Sequence, residues 1–272
     1  MKKIDSFSEY KNEYKKSLDN PDLFWAEKAS TFQWISKWNK VLKWEFESPT
    51  IEWFIGGKLN ITENCLDRHL KYNGDKVAIL WEPNNPDDSS VKITYSDLHK
   101  KVCEFANVLL NHGAKKGDRI CLYMPMIPEL TIATLACARI GAIHSVVFAG
   151  FSAKSLADRI NDSKCNILIT SDGSFRGNKQ ICLKDIADQA LGFCKTINSC
   201  IVFKRTGEEI SMKLNRDFWW HDEVSKVSDF LAAAEMDSED PLFILYTSGS
   251  TGKPKGVQHN CAGYMVYAEY SF

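Results

Sequence analysis

The sequence lacks three features that would assign it to a protein class at once. It has nine cysteines but no C-x-x-C pair, so neither a zinc site nor a dithiol motif is predicted, and reduced thiols are expected. No apolar segment follows the basic N-terminus MKKIDSFSEYKNEYKK, which argues against a signal peptide. The most membrane-like stretch, residues 131–151, is interrupted by Arg139 and His144, so a buried helix and strand explain it better. We therefore expect a cytoplasmic protein with no membrane partner.

An excess of charge is also missing. Thirty-four basic residues face 35 acidic ones, so no overall field would attract nucleic acid. The tryptophan-rich segment FWAEKASTFQWISKWNKVLKWEFESPTIEWF, residues 24–54, has lysines between its rings, as a base-stacking platform would, but glutamates cancel their charge. We expect no nucleic-acid partner, and we interpret residues 1–70 as an N-terminal extension whose aromatic side chains dock on the main domain.

From about residue 75, strand patterns alternate with helix patterns, which predicts an α/β fold with largely parallel sheets flanked by helices. The predicted strands are VAILW, RICLYM, AIHSVVFA, NILIT, SCIVF and LFILY. One helix is predicted to begin after an N-cap at Ser96 and to end at Gly113 as the C′ residue. Its expected core stripe is Leu98, Val102, Phe105, Ala106, Leu109 and Leu110. Residues 71–272 are predicted to form the first part of a second domain.

A glycine-rich segment, YTSGSTGKPKG at residues 246–256, directly follows an apolar strand. Small residues allow backbone N–H groups to approach an anion closely, while hydroxyls and lysines add donors and charge. A Walker A loop would need Gly at position 247 and Ser or Thr at position 254, where this chain has Thr247 and Pro254. A flexible surface loop is the alternative. The candidate phosphate-binding residues are Thr247, Ser248, Gly249, Ser250, Thr251, Gly252, Lys253, Lys255 and Gly256.

The segment YTSGSTGKPKGV, with His259 behind it, resembles the phosphate-loop signature of the adenylate-forming enzymes. The resemblance implies a loop that closes over the β- and γ-phosphates of ATP, accompanied by Mg²⁺, while a carboxylate attacks the α-phosphorus. The N-terminal extension and the segment GDRICLYMPMIPELTIATLACARIGAIHSVVFAGFSAKSLADRI resemble the acetyl-CoA synthetase subfamily. The implied activity is the AMP-forming ligation of acetate to CoA through acetyl adenylate.

A third stretch, SDGSFRGNKQICLK at residues 171–184, resembles the loop in which that subfamily carries two arginines for the phosphates of CoA. Arg176 matches the first arginine, and Lys179 stands at the second position, which keeps the charge but loses the bidentate fork. Gly177 and Asn178 lie between them. By the same matching, Phe148, Gly150 and Ile181 would flank the CoA adenine. Ordinary core packing, or solvated charge for Arg176 and Lys179, is the alternative.

The last residues, GYMVYAEYSF, begin a helical pattern without a C-cap, so we expect the N-terminal part of a longer protein. The resemblance places the adenine motifs, the acyl pocket, the Mg²⁺ ligand and the adenylation lysine further along, so no catalytic or metal residue is assigned here. Truncation, an incomplete gene model and a separately encoded C-terminal half all remain open. Two alternative functions also remain open: a propionate or short-chain acyl-CoA ligase, and a non-catalytic nucleotide- or CoA-binding remnant.

Overall fold

The computed structural model describes residues 4–177, 179–247 and 253–272. The N-terminal elements include a short π-helix, Glu63–Asp67. In chain order the helices and strands are α1 Phe7–Asp19, α2 Pro21–Ala29, β1 Lys40–Glu45, β2 Thr50–Ile55, β3 Lys58–Leu59, α3 Arg68–Asn73, β4 Val77–Trp81, β5 Val91–Thr94, α4 Tyr95–Asn111, β6 Arg119–Tyr123, α5 Pro128–Ile140, β7 Ile143–Val146, α6 Ala153–Ser163, β8 Ile167–Ser171, β9 Gly173–Arg176, β10 Lys179–Cys182, α7 Leu183–Leu191, β11 Ser199–Phe203, β12 Asp217–Trp219, α8 Trp220–Val224, β13 Met236–Asp237, β14 Pro241–Thr247, β15 Lys255–Asn260 and α9 Cys261–Ser271.

The main sheet has the strand order β12-β11-β8-β6-β7-β14-β15. Every adjacent pair from β12 to β14 is parallel, and β6, β8 and β11 are buried along nearly their whole length. Buried apolar strands of this kind are typical of parallel sheets covered by helices. The predicted α/β fold class is confirmed.

The chain leaves the central strand β6 in two directions, because β7 pairs with one side of it and β8 with the other. The carboxyl ends of these parallel strands lie at one edge of the sheet. A crevice forms at such a switch point, and open α/β sheets bind their ligands there. The topology therefore selects the edge at which Tyr123, Val146 and Ser171 end their strands as the place to look for a site.

Helix α4 begins two residues earlier than predicted, at Tyr95. Its N-cap is Thr94, whose Oγ1 accepts a hydrogen bond from the Asp97 N–H at 3.1 Å, so the predicted N-cap at Ser96 is wrong. Thr94 satisfies the N3 donor while its own backbone ends strand β5. Gly113 follows the helix with φ of 83°, which confirms the predicted C′ glycine.

The predicted core stripe of α4 is confirmed except at one position. Leu110 is 41% exposed, because a helix turns about 100° per residue and carries this position beyond the buried face. Cys103 and Val108 are fully buried instead. The other five predicted side chains are buried: Leu98, Val102, Phe105, Ala106 and Leu109.

Arg139 and His144, which interrupt the apolar stretch 131–151, are both buried. Arg139, at the end of α5, donates from Nε to the Leu231 carbonyl at 2.8 Å, and an arginine that finds such acceptors can be kept in a core. His144 lies in β7, with its ring centroid 5.4 Å from that of Phe243. Burial lowers the pKa of His144 to about 4, so the ring is neutral at pH 7 and is compatible with the apolar core.

Residues 171–184, which the sequence suggests as a ligand loop, include a β-hairpin. Strands β9 and β10 pair antiparallel with Arg176 opposite Lys179 and Ser174 opposite Ile181. Gly177 begins the turn with φ of 57°, a left-handed conformation that favours glycine. Alternation along a strand gives these four side chains one common face of the hairpin.

The chain groups into two compact units: one comprises the residues up to Arg68 with Glu235–Pro241 and His259–Phe272, and the other comprises His69–Ala234 and Leu242–Gln258. In the first unit, Phe54 is 1% exposed and contacts the rings of Trp34, Trp38 and Trp53 at centroid distances of 5.2–6.0 Å. Trp25 adds an edge contact to Tyr270 of α9. These tryptophans pack on one another and on α9. The division of the chain at residue 70 stays a prediction.

Within the described ranges, the helices are too short or too polar to cross a lipid bilayer.

Candidate functional site

A pocket of about 610 Å³ lies at the carboxyl edge of the main sheet. Its lining comes from the segments that follow β6, β7 and β8, with contributions from the end of β4 and the turn after β11. This is the switch point of the strand order, and the volume is within the usual range of small-molecule sites. The lining residues are Trp81, Glu82, Asn84, Met124, Pro125, Met126, Ile127, Leu130, Val146, Val147, Phe148, Ala149, Gly150, Ser174, Phe175, Arg176, Ile181 and Arg205.

One wall of the pocket is aromatic and open to solvent. The ring of Phe148 is 67% exposed and meets Phe151 edge to face at a centroid distance of 5.7 Å. A Cβ atom at Gly150 would collide with Cε1 of Phe148, so a glycine is required for the ring to lie over this part of the backbone. A large exposed ring held in this way offers a flat apolar surface to a ligand.

The β9–β10 hairpin contributes the cationic wall. Arg176 and Ile181 line the pocket, and Lys179 is an exposed residue directly opposite Arg176 in the hairpin. Asn84 Nδ2 donates to the Gly177 carbonyl at 2.9 Å, which ties the hairpin turn to the loop after β4. The hairpin therefore places two positive charges beside an apolar pocket and is itself restrained.

Arg205 supplies a further positive charge from the turn after β11. Its guanidinium carbon lies 5.1 Å from the ring centroid of Trp81 and 5.6 Å from that of Phe175. Trp81 is fixed in turn, because its Nε1 donates to the Met126 carbonyl at 2.8 Å. Cation–π contacts of this kind hold a guanidinium in place without neutralising it.

The backbone around Arg205 is positioned by a buried carboxylate. Asp172 is 1% exposed, and its oxygens accept the N–H groups of Arg205, Thr206 and Gly207 at 2.7–3.1 Å. It also accepts the N–H of Gly173, where β9 begins. One side chain thus fixes both the start of the hairpin and the turn that carries Arg205, and such charge-assisted bonds are strong.

The glycine-rich segment lies partly outside the described residues. Ser248, Gly249, Ser250, Thr251 and Gly252 fall in that gap, as does Asn178 of the hairpin. Thr247, Lys253, Lys255 and Gly256 are exposed, and none of these four lines the 610 Å³ pocket. The predicted phosphate-binding residues that can be described therefore lie outside the pocket lining.

The strand that leads into this segment is firmly held. Tyr246 Oη donates to Asp162 Oδ2 at 2.6 Å, and burial together with this bond raises the pKa of the tyrosine. A Cβ atom at Gly256 would lie 3.0 Å from Cγ2 of Ile244 and 3.3 Å from the Tyr246 ring. The close approach of β15 to these side chains leaves little space at position 256.

The described residues contain no group of three or more His, Cys, Asp or Glu side chains arranged to hold a metal ion.

Two known families together match residues 10–272 of the chain. Residues 66–272 match the family described as AMP-binding enzyme. The chain belongs to the AMP-binding enzyme family. Residues 10–65 match a second family, described as the acetyl-coenzyme A synthetase N-terminus. The resemblance inferred from the phosphate loop and from the tryptophan-rich extension is therefore confirmed.

Several similar proteins are acetyl-coenzyme A synthetases. The protein from Bdellovibrio bacteriovorus is 54% identical over 96% of this chain, and that from Leptospira biflexa is 53% identical over 98%. Acetyl-coenzyme A synthetase 2 of Pseudomonas putida is 48% identical over 97%. The matches cover 41%, 42% and 41% of the lengths of these relatives, so the chain spans about two fifths of each.

A solved structure shows the same arrangement of elements. Acetoacetyl-CoA synthetase from Streptomyces lividans superimposes with a TM-score of 0.85 and 26% identity, over 93% of this chain and 38% of that protein. The similarity supports the adenylate-forming fold of the AMP-binding family over the part that is present here.

The structure brings four of the predicted site residues into one pocket: Phe148, Gly150, Arg176 and Ile181. Sequence reasoning did not place Arg205 and Trp81 in this pocket, although both line it. A signal for Arg205 existed, because it follows the predicted strand SCIVF by two residues and so lies at a ligand-binding edge of a parallel sheet. Trp81 ends strand β4 outside the main sheet, and no sequence pattern places it beside residues 126 and 205.

Proposed function

We propose that the chain is the N-terminal part of an AMP-forming acetate:CoA ligase and that the 610 Å³ pocket binds the nucleotide end of CoA. One observation supports the pocket assignment above the others. An exposed ring at Phe148, a bare backbone at Gly150 and the side chain of Ile181 share a pocket with Arg176. This combination suits an adenine base carrying phosphates, since the ring stacks on apolar surfaces and the phosphates pair with cations.

In the proposed reaction, an acetate oxygen attacks the α-phosphorus of ATP and pyrophosphate leaves, which gives acetyl adenylate. The CoA thiolate then attacks the acetyl carbonyl, and AMP leaves. We assign binding of the ATP phosphates to the glycine-rich segment, with Thr247, Ser248, Thr251 and Lys253 as donors. Mg²⁺ would enter with ATP as part of the substrate.

We propose a cytoplasmic location on the basis of the thiols. All nine cysteines are free in the structure, and a reducing compartment keeps free thiols in that state. The acyl group is assigned by similarity, because the relatives named above are acetyl-coenzyme A synthetases.

The pocket assignment is tested first on the chain itself. CoA and adenosine 3′,5′-bisphosphate should bind to it, and Arg176→Ala should weaken both, as measured by isothermal titration calorimetry. Binding of ATP measured in parallel should be unaffected by Arg176→Ala. Equal losses for ATP and CoA would contradict separate sites for the two ligands.

The reaction is tested in a fusion of this chain with the C-terminal remainder of the Bdellovibrio relative. Arg176→Ala should raise the CoA concentration needed for thioester formation and leave acetate-dependent pyrophosphate exchange nearly intact. Gly249→Val or Gly252→Val should slow acetate-dependent pyrophosphate exchange and leave the CoA requirement nearly unchanged. A side chain at either position would block close approach of the backbone to phosphate.

The chain of 272 residues by itself should give no acetate-dependent pyrophosphate exchange. Positioning of the reactants supplies most of the acceleration in phosphoryl transfer, and the resemblance assigns the acyl pocket and the adenine motifs to residues outside these 272. Binding of CoA by the chain, together with an inactive fusion, would favour the alternative of a non-catalytic CoA-binding remnant. A propionate ligase would show itself by a higher kcat/KM for propionate than for acetate in the fusion.

A further inference from the structure

Arg205 has the features of an anion-binding residue that the matched family motifs did not indicate. Its guanidinium carbon lies over the rings of Trp81 and Phe175, and such cation–π contacts restrain the charged group without neutralising it. A guanidinium carries five N–H donors, and a cation–π contact with a ring does not occupy them as a hydrogen bond to a protein acceptor would. Arg205 also lines the pocket, which gives those groups access to a ligand.

A second feature of Arg205 is that, among the described residues, no carboxylate forms an ion pair with its guanidinium. Glu129 is close enough for the positive charge of Arg205 to act on its titration, but burial dominates and raises the pKa of that carboxyl. A restrained cation without a carboxylate partner favours the binding of an anion at this place.

We propose that Arg205 binds a phosphate group of the CoA nucleotide and provides the planar guanidinium that position 179 lacks. This inference rests on the proposed CoA pocket. Lys179 is a compact charge on a flexible stem, whereas Arg205 is held by two rings and by the buried carboxylate of Asp172. A preorganised arginine loses less conformational entropy when it binds a phosphate than a mobile lysine does.

The experiment measures three ligands on the 272-residue chain: CoA, dephospho-CoA and adenosine. Calorimetry serves for the first two, and ligand-observed NMR serves for adenosine. Arg205→Met should weaken CoA binding at least tenfold and leave adenosine binding within twofold, because adenosine carries no phosphate. Lys204→Met removes an adjacent exposed charge that does not line the pocket, and it should change each affinity less than twofold.

The two coenzymes distinguish which phosphate Arg205 contacts. If Arg205→Met weakens CoA but not dephospho-CoA, the partner is the 3′-phosphate. If both are weakened equally, the partner is the diphosphate. Both results support the proposal.

Failure of this inference is separable from failure of the CoA pocket. If Arg176→Met weakens CoA binding and Arg205→Met does not, Arg205 has no phosphate role and the pocket assignment stands. If the wild-type chain binds neither coenzyme, the pocket assignment is overturned and this inference with it.

A purely structural role is tested by a second variant. Arg205→Lys keeps the charge but loses the planar fork, and it should weaken CoA binding by about three- to tenfold with adenosine binding unchanged. Equal proportional losses of adenosine and CoA in both variants would show that Arg205 shapes the pocket without contacting phosphate, and would overturn the proposal.

Discussion

Two regions of the α/β unit differ in whether their positive charges have carboxylate partners. The charge cluster consists of the buried residues Lys184 and Asp217 and the half-buried residues Asp188 and Arg216. The pocket cations are Arg176 and Arg205, which line the pocket, and Lys179 beside them on the hairpin. In the cluster, Lys184 Nζ lies 2.7 Å from Asp188 Oδ2 and 2.8 Å from Asp217 Oδ2, and its side chain has no exposure. Each pocket cation lacks such a carboxylate partner among the described residues.

The difference separates charges that hold the fold from charges that are available to a ligand. Burial opposes the ionised form of Asp217, but hydrogen bonds from Arg216 and Lys184 outweigh it and lower the pKa of this carboxyl. Arg216 adds bonds to Asp217 at 2.6 and 2.8 Å. Since every charge there has a partner, the cluster can contribute to stability but has no charge left for a substrate.

The largest effect that tests this comparison is on stability. Asp217→Ala leaves Lys184 buried and short of a counter-ion, so we expect a loss of about 3–5 kcal/mol in the free energy of unfolding. Urea denaturation followed by circular dichroism measures it. Glu208→Ala, at an exposed position, is the control and should change stability by less than about 0.5 kcal/mol. A similarly small loss for Asp217→Ala would contradict the structural role of the cluster.

In the second test we expect a loss of CoA affinity without a loss of stability. Arg176→Met should cost about 1.5–3 kcal/mol of CoA binding, the contribution of a hydrogen bond to a charged group, while stability stays within about 0.5 kcal/mol. Calorimetry and urea denaturation on the same samples give both numbers. Lys195→Met, at an exposed position outside the pocket lining, should alter neither. A loss of stability without a loss of CoA affinity would place Arg176 with the structural charges.

The third test follows the free energy of unfolding as a function of pH and concerns the ionisation of Asp217. We expect this effect to be smaller than the loss of stability from Asp217→Ala. The folded-state pKa of Asp217 is lowered, so its contribution is fully present above the unfolded-state pKa of about 3.9 and is lost as pH falls through the folded value. The stability difference between wild type and Asp217→Asn should therefore narrow below about pH 4. Denaturation curves at pH 6 and pH 3 check it, and a constant difference would exclude ionisation of Asp217 as the cause.

The smallest expected effect concerns the hairpin. Lys179→Arg should strengthen CoA binding by about 0.5–1.5 kcal/mol, because a guanidinium can add a hydrogen bond to a phosphate that an ammonium contacts as a point charge. Arg176 lies directly opposite position 179 in the hairpin register, so both forks could reach one ligand. Lys253→Arg in the glycine-rich segment is the matched control. Unchanged or weaker CoA binding by Lys179→Arg would contradict this role of the hairpin face.

Local patterns determined the elements of this protein. Pro128 at the start of α5, Gly141 with φ of 74° at its end and the Ser152 cap of α6 are signals that act within one turn of the chain. The glycine-rich segment and the motifs of the AMP-binding family are equally local, so both could be recognised by reading along the chain. The cap at Thr94 was missed because Thr94 and Ser96 have similar capping propensities, and pairing of β5 with β4 decides where the strand ends.

Only the tertiary structure decided which distant residues share the pocket. Trp81, Phe175 and Arg205 come from three separate segments, and strand order places the segments after β6, β7 and β8 side by side. Propensity and periodicity describe neighbours within a few positions, whereas these contacts depend on the sheet topology and on the packing of its carboxyl edge. The sequence therefore determined the family and the character of each motif, and the fold determined that Arg205 lies beside the predicted CoA-binding residues.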